Sequence, residues 1–115
     1  FPARVHACLD TCHLFAAGYD LRTEESFAAT MDEIGRTLTW ERVGAIHVND
    51  SKKPLGSRVD RHDHLGQGEI GELGFRLLVN DSRVENIPLL LETPEAETQH
   101  EVNLRRLLDW REKLQ

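Results

Sequence analysis

Residues 43–71 have the sequence VGAIHVNDSKKPLGSRVDRHDHLGQGEIG, in which a short apolar run leads into a long polar stretch. The run 43–49 has the length and composition of a buried strand. The loop 50–71 that follows is too long and too polar to be an ordinary connection. Loops of this length inside a compact domain are usually functional or disordered. We therefore predict a strand that leads into a functional loop at its carboxyl end.

The segments on either side of this stretch alternate between strand-like and helix-like patterns. Predicted strands cover residues 4–10, 43–49 and 87–92, and the last of these, IPLLLE, is apolar enough to be buried on both faces. Predicted helices begin after Thr23, at about Glu72 and at about Glu97. Alternation of this kind indicates an α/β fold, in which crossover helices join parallel strands.

Local patterns define the predicted helices more closely. Thr23 is a predicted N-cap, because two acidic residues follow it in the first turn, where they favour the helix dipole. The residues after it form one apolar helical stripe: Phe27, Met31, Ile34 and Leu38. The final helix is predicted to place three leucines on one side: Leu104, Leu107 and Leu108. Residues 11–20 are predicted to form a turn or loop.

The composition limits the class of protein. A chain of 115 residues with 39% hydrophobic and 30% charged residues fits one small globular domain or a piece of a larger one. It begins at Phe1 rather than at methionine, so we expect a segment of a longer protein. No apolar run approaches a membrane span, and a net charge of −6 gives no general attraction to nucleic acid. Cys8 and Cys12, predicted to be small buried residues, suit a reduced cytosolic setting.

Ligand-type side chains fall at the end of every predicted strand. Asp10 ends the first strand, His47 lies near the end of the second, and Glu92 ends the third. The carboxyl ends of parallel strands meet at one edge of a sheet, where function concentrates in α/β proteins. Three further residues that could act as ligands follow the first two strands in the sequence: His13, Asp60 and His62. Carboxylates and imidazoles bind zinc and similar divalent ions, so we predict a metal site at this edge.

Each of these residues alone has a simpler interpretation. An aspartate after a strand is usually a helix cap, and a histidine near a strand end is usually a hydrogen-bonded core residue. Glu92 could be solvated. The three strand ends are not independent, however. A metal site explains a ligand-type residue at all three of them better than chance does. His6 and His64 are predicted not to be ligands, and His100 is predicted to lie on the surface.

Five motifs together resemble the endonuclease IV family of zinc-dependent apurinic/apyrimidinic endonucleases. They cover nearly the whole chain in the family's order: CLDTCHLFAAGYD at 8–20, HVNDSK at 47–52, GSRVDRH at 56–62, LGQGEIG at 65–71 and LLET at 90–93. The resemblance implies a (β/α)₈ TIM barrel with a trinuclear zinc site at the carboxyl ends of its strands. Residues 1–115 would then be the C-terminal part of this single barrel domain and contain its last three βα units.

The resemblance also implies a division of the ligands between zinc ions. His13, Asp60 and His62 would hold one zinc ion completely. A second ion would take three ligands from this chain, together with a bridging glutamate from an earlier strand: Asp10, His47 and Glu92. Neither that glutamate nor the two histidines implied for the third ion are in this sequence. We therefore expect residues 1–115 alone to lack efficient activity.

The resemblance implies the reaction of this family, which serves DNA repair. This reaction hydrolyses the phosphodiester on the 5′ side of an abasic site in double-stranded DNA and leaves a 3′-hydroxyl and a 5′-deoxyribose phosphate. Five residues of the basic loop are predicted to contact DNA phosphates: Ser51, Lys52, Ser57, Arg58 and Arg61. The implied protein is a monomer of the bacterial cytosol and needs no catalytic residue beyond its metal ligands.

Two other functions remain open at this stage. A metal-dependent sugar isomerase or epimerase on a related TIM barrel would also place Glu, Asp and His at strand ends. It has no use for the basic loop or for the motif at 8–20. A non-catalytic zinc-binding fragment is the second alternative, and it would bind metal without cleaving DNA.

Overall fold

The computed structural model describes residues 5–113 of the chain. It contains five strands: β1 (Ala7–Asp10), β2 (Val43–Val48), β3 (Asp50–Ser51), β4 (His62–Asp63) and β5 (Leu89–Leu91). It contains four α-helices: α1 (Thr11–Ala16), α2 (Glu24–Leu38), α3 (Glu72–Val79) and α4 (Ala96–Lys113). Two 3₁₀ turns precede β2 and β5: Trp40–Arg42 and Ser82–Val84. Within residues 5–113, no helix is both long and apolar enough to cross a membrane.

Strands β1, β2 and β5 form a parallel sheet with β2 in the centre. In the register of this sheet Asp10 lies beside His47, and His47 lies beside Leu90. The predicted α/β class and the parallel strand order are confirmed, and each strand is one to three residues shorter than predicted at one or both ends. Arg4, part of the first predicted strand, lies outside the described residues. The short pair β3 and β4, which is antiparallel and lies within the long loop, was not predicted.

The two faces of the parallel sheet differ in whether helices pack against them. Leu9, Ile46 and Val48 point to the face that packs against the helices and belong to the core or contact it. Successive side chains alternate between faces, so Cys8 and Leu90 point to the other side, where Cys8 is exposed and Leu90 is 47% exposed. The predictions that Cys8 is buried and that the third strand is buried on both faces are therefore wrong for residues 5–113. Only one face has helices against it here.

Helix α1 occupies part of the segment that was predicted to be a loop. Asp10 is its N-cap, and the Asp10 Oδ1 atom accepts a hydrogen bond of 3.0 Å from the backbone N–H of His13. Cys12, Phe15 and Ala16 are buried on its inner side. The prediction failed because the helix has only six residues and its cap is also the last residue of a strand.

Helix α2 follows its sequence pattern closely. Thr23 is the N-cap, as predicted, and it forms a capping box with Ser26. Phe27, Met31 and Ile34 are buried, which confirms the predicted stripe. These three residues share one core cluster with Ile46, and Leu9 packs against it.

Helix α4 buries a different face from the predicted one. Leu107 is buried, but Leu104 and Leu108 are 45% and 59% exposed. The buried stripe is Asn103, Leu107 and Trp110. Asn103 is fully buried, and its Oδ1 atom accepts a 3.0 Å hydrogen bond from the backbone N–H of Leu65. This polar contact ties the end of the long loop to the helix, so the stripe could not be recognised from apolar residues alone.

Candidate metal centre

Asp10, His47 and Glu92 come together at the carboxyl edge of the parallel sheet. One ligand atom from each lies within 4.8 Å of the other two. The His47 Nδ1 atom contacts Glu92 Oε1 and lies 4.0 Å from Asp10 Oδ2. The strand register explains this arrangement, because Asp10 pairs with His47 and Glu92 follows β5 beside them. Two carboxylates converging on one imidazole are a ligand set that suits a divalent cation.

A second group of ligand atoms adjoins the first through His62. Its Nε2 atom lies 3.4 Å from Asp60 Oδ1 and 3.5 Å from Asp10 Oδ2. His13 Nδ1 lies 3.7 Å from the other oxygen of Asp60. The side chains of His13 and Asp60 are 71% and 44% exposed, so this group faces outward. All six predicted ligands therefore form one continuous row of neighbouring side chains along the rim.

The ring of His62 is oriented by a backbone contact. Its Nδ1 atom lies 2.9 Å from the carbonyl oxygen of Glu92. A carbonyl oxygen only accepts, so Nδ1 donates in this contact and Nε2 faces Asp10 and Asp60. A metal-binding histidine typically has its second nitrogen bonded to a carbonyl or carboxylate in this way.

Cys12 lies at the same place but differs in chemistry. Its sulfur is within 4.8 Å of ligand atoms of Asp10, Asp60 and His62. The residue is fully buried, as predicted, and its Sγ atom lies 3.4 Å from the Arg61 carbonyl oxygen, to which the thiol donates. Burial, together with a smaller contribution from Asp60, raises the pKa of the Cys12 thiol to about 12. The thiol donates to a backbone carbonyl and has no exposed surface, as expected of the small buried residue predicted from the sequence.

Two buried polar residues beside the predicted ligands were not singled out from the sequence. Asn49 has no exposed surface and hydrogen-bonds to Asp10 and to the backbone of Glu92. Asp50 is equally buried. Both residues belong to the HVNDSK motif, but by local pattern they only follow an apolar strand, which is also where ordinary loops begin.

Asp50 is the centre around which one part of the loop folds. Its carboxylate accepts backbone hydrogen bonds of 2.8 to 3.3 Å from five residues: Ser51, Gly66, Gly68, Ile70 and Gly71. Burial raises the pKa of the Asp50 carboxyl, and these N–H groups oppose the rise. We call residues 65–71 the anchored arm of the loop.

Gly68 allows the close approach that the anchored arm requires. A Cβ atom at this position would lie 2.5 Å from the Ser51 carbonyl oxygen and 2.6 Å from Asp50 Oδ1. No side chain fits there without displacing the carboxylate or the backbone. Gly68 therefore serves packing around Asp50.

Residues 52–61, which we call the basic arm, are held in a different way. Two backbone hydrogen bonds join the arm to the end of α1, from Gly56 N to Phe15 O at 3.0 Å and from Arg58 N to Ala16 O at 2.9 Å. Arg58 has a φ of 62°, a left-handed conformation that is uncommon for residues other than glycine. A surface cavity of about 150 Å³ lies beside it, lined by His13, Ala16, Ala17, Arg58 and Asp60.

The predicted DNA-contacting residues divide by exposure. Lys52, Arg58 and Arg61 are exposed, and Ser57 is half-buried, with its hydroxyl accepting from the N–H of Val59. Ser51 is fully buried, and its hydroxyl donates a 2.7 Å hydrogen bond to the Lys53 carbonyl oxygen. Ser51 therefore presents no group to DNA and stabilises the turn instead, which corrects its predicted role. His100 is exposed, as predicted.

One family of known proteins matches most of this chain. A family described as the xylose isomerase-like TIM barrel matches residues 2–114. The apurinic-apyrimidinic endonuclease of Caenorhabditis elegans is 47% identical over 109 residues, which are 95% of this chain and 28% of that protein. The probable endonuclease 4 of Chloroflexus aggregans is 55% identical over 94 residues, 82% of this chain and 33% of that protein. The chain belongs to the endonuclease IV family.

A solved structure supports the same membership. Endonuclease IV from Thermus thermophilus superimposes with a TM-score of 0.84 at 44% identity, over 94% of this chain and 39% of that one. The expected resemblance and the TIM-barrel class are confirmed. This endonuclease IV family chain spans about a third of the length of the proteins that it matches.

Proposed function

We propose that the protein containing this chain is a DNA repair endonuclease. It hydrolyses the phosphodiester on the 5′ side of an abasic site and leaves a 3′-hydroxyl and a 5′-deoxyribose phosphate. The observation that carries the proposal is the continuous row of six ligand-type side chains beside an exposed basic arm. The relatives named as apurinic-apyrimidinic endonuclease and endonuclease 4 support it.

The ligand row divides into two metal positions under this proposal. His13, Asp60 and His62 would hold one zinc ion, and Asp10, His47 and Glu92 would hold most of the shell of a second. When bound, zinc supplies Lewis acidity that withdraws charge from the phosphodiester. We further propose that residues 1–115 are the C-terminal part of a single barrel domain. Remaining ligands, including those of a third ion, would come from earlier strands of that domain.

The chain's own residues would bind and orient the substrate. Lys52, Arg58 and Arg61 project from the basic arm next to the ligand row, where their charges would contact phosphates of duplex DNA. Phosphate contacts position a duplex without reading its sequence. That property suits a lesion defined by a missing base, which offers no base edge to recognise. The His62 Nδ1 proton, held by the Glu92 carbonyl, keeps the ring fixed while the substrate binds.

A nicking assay on the full natural protein tests the proposal. The substrate is a labelled duplex with one abasic analogue, and the expected product is a nick on its 5′ side with a 3′-hydroxyl end. Treatment with a chelator should abolish nicking, and zinc should restore it. His62→Ala should lower the rate by more than about 100-fold. His100→Ala, which changes an exposed histidine on α4, is the matched control and should nick like the wild type.

Two results would contradict the proposal. The first is intact abasic duplex after incubation with the zinc-loaded protein. The second is nicking by His62→Ala at the wild-type rate. Interconversion of an aldose and a ketose by a protein that leaves DNA intact would favour the sugar isomerase alternative.

A further inference from the structure

Asn49 is fully buried where the ends of the three parallel strands meet, and all of its polar groups are hydrogen-bonded. Its backbone N–H donates to Thr11 Oγ1 at 2.8 Å, and the Thr11 hydroxyl donates back to its carbonyl oxygen at 2.6 Å. This reciprocal pair fixes the backbone of Asn49 against the start of α1. The carboxamide is therefore presented from a rigid position.

The carboxamide joins two of the proposed metal ligands. Its Nδ2 atom donates to Asp10 Oδ2 at 3.2 Å, and its Oδ1 atom accepts from the backbone N–H of Glu92 at 2.9 Å. The orientation of the amide is unambiguous, because the N–H of Glu92 can only donate and an ionised Asp10 can only accept. One neutral side chain thus bridges the ends of β1 and β5 across the end of β2.

The same contact reaches a third proposed ligand through the backbone of one residue, Glu92. Asn49 holds the N–H of Glu92, and the carbonyl of Glu92 accepts from His62 Nδ1 at 2.9 Å. A displacement of the Glu92 backbone would therefore move both its own carboxylate and the ring of His62. The Asp10 oxygen that Asn49 contacts is also the one that faces His62 Nε2 and His47 Nδ1.

We infer that Asn49 is a positioning residue for the metal centre, setting the orientation of Asp10, Glu92 and His62. The inference rests on the proposed function, in which these three residues bind zinc. Hydrogen-bond partners of metal ligands fix the ligand geometry and basicity, and their loss typically lowers metal affinity or activity about 10–100-fold.

The site needs an asparagine rather than a residue of similar shape. An aspartate would keep the acceptor for the Glu92 N–H but would place a second carboxylate against Asp10 with no proton to donate. A serine would be too short to span the two strand ends. A leucine would leave the Glu92 N–H buried without a partner, which is costly in itself.

Zinc affinity of the folded full natural protein tests the inference, measured by competition with a chelating dye. Asn49→Asp should lower zinc affinity about 10–100-fold at a temperature where circular dichroism reports the native fold. The matched control is Asn103→Asp. Asn103 is also fully buried and contacts Leu65, Thr93 and His64, but none of the proposed ligands. That variant should lower the melting temperature and leave zinc affinity within about twofold of wild type, because no contact of a proposed ligand is lost.

The outcomes separate the inference from the function on which it rests. Equal zinc affinity in Asn49→Asp and Asn103→Asp, with both melting early, would assign Asn49 a purely structural role and overturn the inference. Failure of the wild type to bind zinc and to nick abasic DNA would instead overturn the proposed function. If Asn49→Asp does not fold, the neutral pair Asn49→Ser and Asn103→Ser is compared by the same criterion, and a selective loss of zinc affinity in Asn49→Ser is expected.

Discussion

The two arms of the loop 50–71 are both polar in sequence, but they differ in how deeply they are buried. The anchored arm folds around the buried Asp50 carboxylate and buries Leu65 and Ile70 to 1% and 3% exposure. The basic arm carries exposed charged side chains, and among its contacts are two backbone hydrogen bonds to α1. The anchored arm is therefore held by buried contacts, and the basic arm leaves its charged side chains exposed.

This difference shows how one loop can combine a buried, hydrogen-bonded part with an exposed, charged one. Segments with few buried apolar contacts open most easily, so binding residues usually lie on them, supported by a stable scaffold. Here the scaffold is the other arm of the same loop. Asp60 and His62 lie where the basic arm ends and β4 pairs with β3. These two predicted ligands are consequently close to both kinds of structure.

The largest expected effect comes from removing the centre of the anchored arm. Asp50→Ala leaves five backbone N–H groups without their acceptor and should lower the free energy of unfolding by about 4 kcal/mol. Lys53→Ala, an exposed position in the basic arm, should change it by less than about 0.5 kcal/mol. Denaturant unfolding of the full natural protein measures both. Similar losses for the two variants would remove the distinction between the arms.

A pair of glycine substitutions should give a smaller difference of the same kind. Gly68→Ala forces a methyl group to within 2.5 Å of the Ser51 carbonyl oxygen, a clash expected to cost about 2–3 kcal/mol. Gly56→Ala meets no atom within 4 Å, and its only penalty is a φ of +74°, worth about 1 kcal/mol. Thermal unfolding followed by circular dichroism compares them. A Gly56 variant that melts below the Gly68 variant would reverse the assignment of the stabilising arm.

The smallest effect on stability should come from the charges of the basic arm. Arg58→Gln and Arg61→Gln should each leave unfolding within about 0.5 kcal/mol of wild type. Each should reduce the slope of log affinity against log salt by roughly 1, because one phosphate contact is lost. Fluorescence anisotropy with an abasic duplex and chelator-treated protein measures this slope. Arg105→Gln, an exposed arginine on α4, should leave the slope unchanged, and an equal reduction there would argue against a localised DNA-binding arm.

The parts of the fold that were predicted from the sequence are those with a regular period. The alternation of strands and helices was clear because each element carries its own apolar pattern, and α2 shows the period without interruption. Asp10, His47 and Glu92 were located because a strand end is visible in sequence. Parallel strands then require those ends to be neighbours.

The structure of the loop could not be predicted in the same way. Asp50 binds backbone N–H groups that lie up to twenty-one residues later, and a backbone N–H has no signature in the sequence. Asn103 was overlooked for a related reason, because a polar residue occupies the buried stripe of α4 where an apolar one was expected. Both residues are buried through specific hydrogen bonds, which depend on tertiary structure rather than on local pattern.

Asp10 has a further consequence for genetics, because one side chain serves two purposes. One carboxylate oxygen caps α1, and the other faces the histidines of the rim. A screen for loss-of-function alleles would therefore recover changes in the codon for Asp10 that combine a folding defect with a chemical one. Only replacements that still cap a helix, such as asparagine or serine, would isolate the chemical defect. Few amino-acid replacements of Asp10 would leave the protein unaffected, because both the cap of α1 and the contacts at the rim depend on this side chain.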